Sequence, residues 1–283
     1  MNLKDKLKGL PTIYYLNLDE RPDRKQYTEE QYEKYKISNF KRFSASSYQL
    51  QNFDEWKSKV ILNDISTCKR WRQHLIEVAT ALSTIDMLKS WLENTIEEYV
   101  ILMEDDYDLS YIDYWHFDWE YLMNNIPFDW DCIQLGFENE KIIPCYLHPI
   151  LSGHDSGAAL IRRSYAEKLI RLFCVDEKYN LAHKISNWKW SIGLDIPNVT
   201  IDYFLIHSGR TYSMPLISVN PDIGSYSVNY VRSDRPDLVL ARKAYKKWWT
   251  VLRDDYTLEE FFMYGKPNDR VITPREPDID KYV

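Results

Sequence analysis

The chain has no surplus of positive charge: 36 Lys and Arg stand against 43 Asp and Glu, for a formal charge of −7 and a pI near 5.5. That excludes broad, non-specific nucleic-acid binding, which runs on phosphate neutralisation by excess Lys and Arg, and leaves only a local basic patch open. No apolar run is long enough to span a bilayer, and Met1-Asn2-Leu3-Lys4-Asp5-Lys6 opens no signal-type apolar region, so the expectation is no transmembrane segment and a cytoplasmic protein. The four cysteines, Cys68, Cys132, Cys145 and Cys174, are far apart and form no C-x-x-C pair; three sit in apolar segments and read as reduced, structural thiols. Glycine is scarce, at 8 residues, against 22 Tyr and 10 Trp, so broad aromatic surfaces are on hand for a flat ligand such as a base or a sugar ring.

What is present starts with size. A chain of 283 residues with 45% hydrophobic content can fill one large α/β core, or a core with an appended segment. Its organising stretch is Tyr99-Val100-Ile101-Leu102-Met103-Glu104-Asp105-Asp106, an apolar run that ends in three carboxylates. Such a run suits a strand covered on both faces, and like charges cannot be buried without a counter-charge. A divalent cation is the first candidate, since carboxylate and water ligands favour Mg²⁺ or Mn²⁺ and ligands of open α/β sheets bind at the carboxyl ends of strands. A solvated acidic turn is the plain alternative.

Upstream, Thr12 to Leu18 reads as a strand, Asp19-Glu20-Arg21-Pro22-Asp23-Arg24 as a loop, and the polar segment to Lys36 as a helix. Asn17, Asp19, Arg21 and Arg24 are thus placed to hold a nucleotide, or Arg21 and Arg24 pair with Asp19, Glu20 or Asp23 on the surface. Lys41 to Ala45 reads as a second strand, and residues 48–66 as loop and short helix. Apolar residues recur at helical spacing from Cys68 to Asn94, giving one long helix or two, and Cys132-Ile133-Gln134-Leu135-Gly136 is a further strand. Beyond Asp234-Arg235-Pro236, the apolar stripe Leu238, Ala241, Ala244, Tyr245, Trp248, Trp249 and Leu252 predicts a helix that packs on the core or pairs two subunits through residues 236–253; its basic face, with Arg242, Lys243, Lys246 and Lys247, makes membrane-surface attachment the sharper alternative.

These islands, taken in order, resemble glycosyltransferase family 25, which groups bacterial lipopolysaccharide galactosyltransferases with procollagen galactosyltransferases. Tyr15 to Arg24 is similar to the family's I-N-L-D-R-R-P-D-R opening, Arg42-Phe43-Ser44-Ala45 to its R-F-x-A segment, Val100 to Asp106 to its strand closing in E-D-D, and Trp130 to Gly136 to its W-D-x-x-x-L-G strand. Ser156 to Ile170 resembles the G-x-x-A-Y-x-I-S-R-x-x-A-x-K-L-L block, so the likeness covers roughly residues 12–220. The sequence departs from the pattern at Thr84, where the family carries His after Ser83, and at Leu160, where it carries Tyr.

The resemblance implies an α/β protein of GT-A fold, a Rossmann-like mixed sheet between helices, over residues 1–221, with a helical extension and extended tail over 222–283. It implies Mn²⁺ (or Mg²⁺) held by Asp106, Glu104 and His207, a UDP-sugar donor contacted by Asn17, Asp19, Arg21, Arg24, Glu104 and Asp105, and a glycan or hydroxylated protein as acceptor. His207 stands otherwise as a strand-end histidine without a ligand. The expected chemistry is inverting hexosyl transfer, with Asp202 or Asp155 as the general base; Asp202 is favoured for its family-like x-D-x-x-L setting, where it precedes an apolar stretch, to His207, that reads as a strand. A GT-A-shaped binder without turnover, and a Mg²⁺-dependent phosphohydrolase that would not need the opening loop, are the competing classes.

Overall fold

The computed structural model describes residues 3–45, 48–61, 71–138, 143–150, 157–181, 201–223 and 236–265. In chain order the elements are α1 (Leu3–Lys6), β1 (Ile13–Asn17), α2 (Pro22–Tyr35), β2 (Phe40–Ser44), α3 (Phe53–Trp56), β3 (Val60–Ile61), α4 (Trp71–Asn94), β4 (Tyr99–Glu104), β5 (Tyr107–Asp108), α5 (Trp119–Asn125), β6 (Cys132–Phe137), β7 (His148–Pro149), β8 (Ala158–Arg162), α6 (Arg163–Phe173), β9 (Cys174–Val175), β10 (Lys178–Asn180), α7 (Ile201–His207), β11 (Thr211–Val219), α8 (Pro236–Thr250) and α9 (Leu258–Phe261). Cys132, Cys145 and Cys174 are free thiols, and Cys68 lies outside the described residues.

The main sheet runs β2-β1-β4-β8-β6-β11-β5, with β7 paired to β11. Strands β2, β1 and β4 are parallel neighbours, β8 is antiparallel to both β4 and β6, and β6 is parallel to β11. The result is a mixed α/β architecture compatible with a Rossmann-like fold. A small second sheet, β3-β10-β9, lies apart from it.

The side-chain period of two sorts the strands between two cores. Tyr14, Leu16, Val100, Leu102, Cys132, Ala159 and Ile161 join one hydrophobic cluster with α4, α6 and α7. Ile13, Tyr15, Ile101, Met103, Ile133, Leu135 and Leu160 join the other, with α2, α5, α8 and α9. Both faces are therefore covered, as the uninterrupted apolar run of β4 requires.

Two expectations change. Residues 201–207, which read as a strand, form α7. Tertiary contacts override the β-rich composition: Phe204, Leu205 and Ile206 are buried, and the last helical carbonyls find side-chain donors, Leu205 from the Tyr165 hydroxyl at 2.7 Å and Ser208 from Lys168 at 2.6 Å. The stripe of α8 is also spent inside this chain. Tyr245 stacks on Phe137 with ring centroids 4.5 Å apart, and Trp248 and Trp249, both fully buried, meet Phe261. Neither subunit pairing nor membrane attachment can use that face, and the helical extension shares one core with the sheet. The tail beyond Gly265 lies outside the described residues.

Trp249→Ala should therefore cost about 3–5 kcal/mol of unfolding free energy, the range for emptying a large buried aromatic site. Urea unfolding checks this, and a loss under about 1 kcal/mol would mean that α8 is not part of the core. A second outcome concerns acid. His148 is buried, and burial lowers its pKa to about 4; burial likewise lowers that of His116 to about 4. In both cases the unfolded state binds the extra proton first, so stability is intact above about pH 6.5 and falls as the pH drops toward 4. For His148 the limit is about 3 kcal/mol. His148→Gln should flatten this acid limb in melting curves recorded against pH; an unchanged limb overturns the assignment.

Candidate functional site

The carboxyl ends of β1 and β4 lie side by side, with Leu16 in register with Glu104. Next in sequence come Asn17, Asp105 and Asp106, which are all buried. Asn17 donates to the Asp105 carboxylate at 2.6 Å and to the Arg21 carbonyl at 3.1 Å, and accepts from Arg42 Nε at 2.8 Å. Arg42 also pairs with Asp19.

The counter-charge of the acidic pair is Arg24. From the first turn of α2 its guanidinium forks across both carboxylates, 2.6 Å to Asp105 and 3.1 Å to Asp106, with side-chain exposures of 9%, 7% and 3%. The cluster thus has a counter-charge within the chain, besides the divalent cation that was the first candidate from the sequence. Charges about 4 Å apart interact by about 4 kcal/mol at an effective dielectric of 20, so two attractions to Arg24 outweigh the one repulsion between the carboxylates. Burial still pushes the Asp105 pKa up, against the opposing pull of the Arg24 charge and the Asn17 hydrogen bond.

Helix α2 holds the whole turn. Arg24, Thr28 and Gln31 fall on one face at helical spacing. Thr28 donates to the Asp105 carbonyl at 3.0 Å, while Gln31 donates to the Tyr107 carbonyl at 2.8 Å and accepts from the Leu109 N–H at 2.7 Å. From the other side, the Asn220 N–H donates to the Asp106 carbonyl at 2.7 Å and its amide donates to the Tyr27 hydroxyl at 3.0 Å. Burial raises the Tyr27 pKa to about 12. Glu104 is steered by β8: its N–H donates to the Gly157 carbonyl at 2.7 Å, and a Cβ on Gly157 would lie 2.8 Å from the Tyr107 hydroxyl and 3.2 Å from the Glu104 carboxyl carbon. A residue with a side chain at 157 would have to displace them.

These groups border a cleft with about 840 Å³ of empty space, its open mouth included. Its far wall is built from α4, through Ala79, Thr80 and Ser83, and from Ala45 and Tyr48. Tyr48 is fixed by hydrogen bonds to Asp86, which also accepts from Tyr179, so α4, the cleft wall and the small sheet meet at one carboxylate.

The sequence-derived candidates divide. Asn17, Arg24, Glu104, Asp105 and Asp106 come together. Arg21 is not among the residues lining the cleft: it is bidentate to Asp23 and 3.3 Å from the Ile223 carbonyl, and Asp19 pairs with Arg42. The Arg21 pairing draws the Asp23 pKa down to about 2. His207 is brought to the opposite edge of the sheet: it lies four residues before Thr211, which pairs with Cys132, the start of β6, whereas Glu104 ends β4 in the same direction as Phe137 ends β6. The intervening strand spans roughly 17 Å, so His207 cannot share a cation with Asp106. Asp202 falls in the first turn of α7 and its side chain is outside the described residues, as is all of Asp155. At the two departures, Thr84 is buried and bonds the Thr80 carbonyl of its own helix, and Leu160 is in the core on the face away from α4. Ser83 remains in the cleft wall.

For a divalent cation, Glu104, Asp105 and Asp106 are the right hard oxygen donors. Two of the three are engaged by Arg24, however, and among the described residues no group of three or more His, Cys, Asp or Glu side chains is arranged around a common point for a metal ion. The donor chemistry fits such an ion; the position of the Arg24 fork must change before one is accommodated. No protein-family model matches the chain, and no curated protein matches its sequence.

Removing Arg24 leaves two buried carboxylates without their partner, so Arg24→Met should destabilise the protein by about 3–5 kcal/mol. Asp106→Asn keeps the Arg24 contact to Asp105 and should cost clearly less. Equal losses in chemical denaturation of the two variants would mean that Asp106 carries the pairing alone.

Proposed function

We propose that the protein is a glycosyltransferase of GT-A type that moves a hexose, galactose or glucose, from a UDP-sugar to a hydroxyl of a glycan or protein, with inversion. The observation that carries this reading is the convergence of Asn17 and Arg24 on the strand-end carboxylates Glu104 to Asp106 at the mouth of one cleft. The parallel trio β2, β1 and β4 beneath it supports the GT-A assignment. In this reading Arg24 and Arg21 contact the diphosphate, and Glu104 contacts the ribose or a metal-bound water.

A Mn²⁺ or Mg²⁺ at the carboxylates would supply neutralisation of the departing diphosphate, where negative charge builds. The acceptor hydroxyl attacks the anomeric carbon as its bond to the diphosphate oxygen breaks, and a carboxylate on the opposite face takes the hydroxyl proton. Asp202 and Asp155 are the candidates for that base.

One observation favours a second reading, a GT-A-like protein that binds a sugar or a partner without turnover. Arg24 already neutralises the acidic pair, so the clustered carboxylates have a structural reason to be there without a cation or a diphosphate.

UDP should raise the melting temperature, since a ligand at a hundred times its Kd adds about 2.7 kcal/mol to stability. No shift at millimolar UDP, with or without Mn²⁺, overturns the donor site. A shift without UDP release from UDP-galactose or UDP-glucose selects the second reading.

A further inference from the structure

Arg24 holds one oxygen of Asp105 and one of Asp106, and it does so from a buried position beside any cation brought to these carboxylates. Its Nη1 lies 2.6 Å from Asp105 and its Nη2 3.1 Å from Asp106, with Asn17 closing the other oxygen of Asp105 at 2.6 Å. A divalent ion brought to Asp106 alone would face a guanidinium at short range in a site shielded from water, where like charges repel strongly. A diphosphate changes the balance. It offers the planar guanidinium a bidentate oxygen pair equivalent to the one Arg24 already holds. It also brings negative charge that a divalent ion at the carboxylates then shares.

We propose that Arg24 is a positioning residue that makes cation binding conditional on a diphosphate: its fork moves from Asp105 and Asp106 to the diphosphate of the nucleotide, and only then do the carboxylates accept Mn²⁺ or Mg²⁺. The inference rests on the donor-site reading above and deepens it. The turn itself does not have to rebuild during the exchange. Thr28 holds the Asp105 carbonyl, Asn220 the Asp106 carbonyl and Gly157 the Glu104 N–H, so the backbone stays fixed while a single side chain changes partners.

Coupling between two ligands is reciprocal, which gives a test that does not depend on turnover. Mn²⁺ binding is followed by loss of the free-ion signal in electron paramagnetic resonance, with and without UDP, and UDP binding is followed by calorimetry with and without Mn²⁺. The expected result for the wild-type protein is that each ligand tightens the other by a common factor of about 5 to 150. In Arg24→Gln, Mn²⁺ should bind without UDP and the factor should fall toward one. Wild-type protein that takes up Mn²⁺ equally well with and without bound UDP overturns the inference while leaving the donor site standing. Failure of UDP to bind under every metal condition overturns both. Should Arg24→Gln prove unfolded, Arg24→Lys, which keeps the charge but loses the bidentate fork, takes its place, and a wild-type coupling factor in that variant overturns the inference.

Discussion

Two adjacent carboxylates at the end of a buried strand cannot both stay ionised without a nearby cation, and the architecture around Asp105 and Asp106 answers that requirement. Arg24 reaches them because β1 runs parallel to β4 and its chain turns directly into α2. Pro22 at the start of α2 fixes the first turn in a helical conformation, which sets the direction from which Arg24 returns. Asn17, Thr28, Gln31 and Asn220 each remove one degree of freedom from the same turn. The backbone of the turn is thereby held in place independently of which partners the Arg24 side chain takes.

Much of this frame was legible in the sequence. The apolar run before Glu104, the Pro22 helix start and the 3.6-residue stripe of α8 all translate directly into structure, because in each case local pattern and burial demand the same thing. The site was legible in part. Asn17, Arg24 and the acidic strand end could be brought together because strand ends on one edge of a sheet collect residues distant in sequence. Which cation faces the carboxylates was not legible, since two arginines three residues apart in one loop look equivalent until α2 is built: Arg21 then pairs with Asp23 and Arg24 with the buried carboxylates.

Other misses have equally specific causes. Asn220 and Tyr27 lie 193 residues apart and meet only through the return of β11, for which no local pattern exists. The stripe Arg24, Thr28, Gln31, Tyr32 and Tyr35 was there to be seen at helical spacing, but its polar members disguised a buried face as a solvated one. Val199 to His207 has strand composition and is a helix from Ile201, because α6 supplies donors to its last carbonyls.

The seating of α8 on β6 and β11 bears on how the chain reaches its native state during synthesis. Phe137 is made 108 residues before the Tyr245 ring that stacks on it. At roughly 5–20 residues per second, that face of the sheet waits on the order of 5–20 seconds for its cover. Until then its apolar surface is open to solvent and to other nascent chains. Phe261 of α9, which packs on Trp248 and Trp249, is made later still, so this side of the core is completed by the last described elements of the chain.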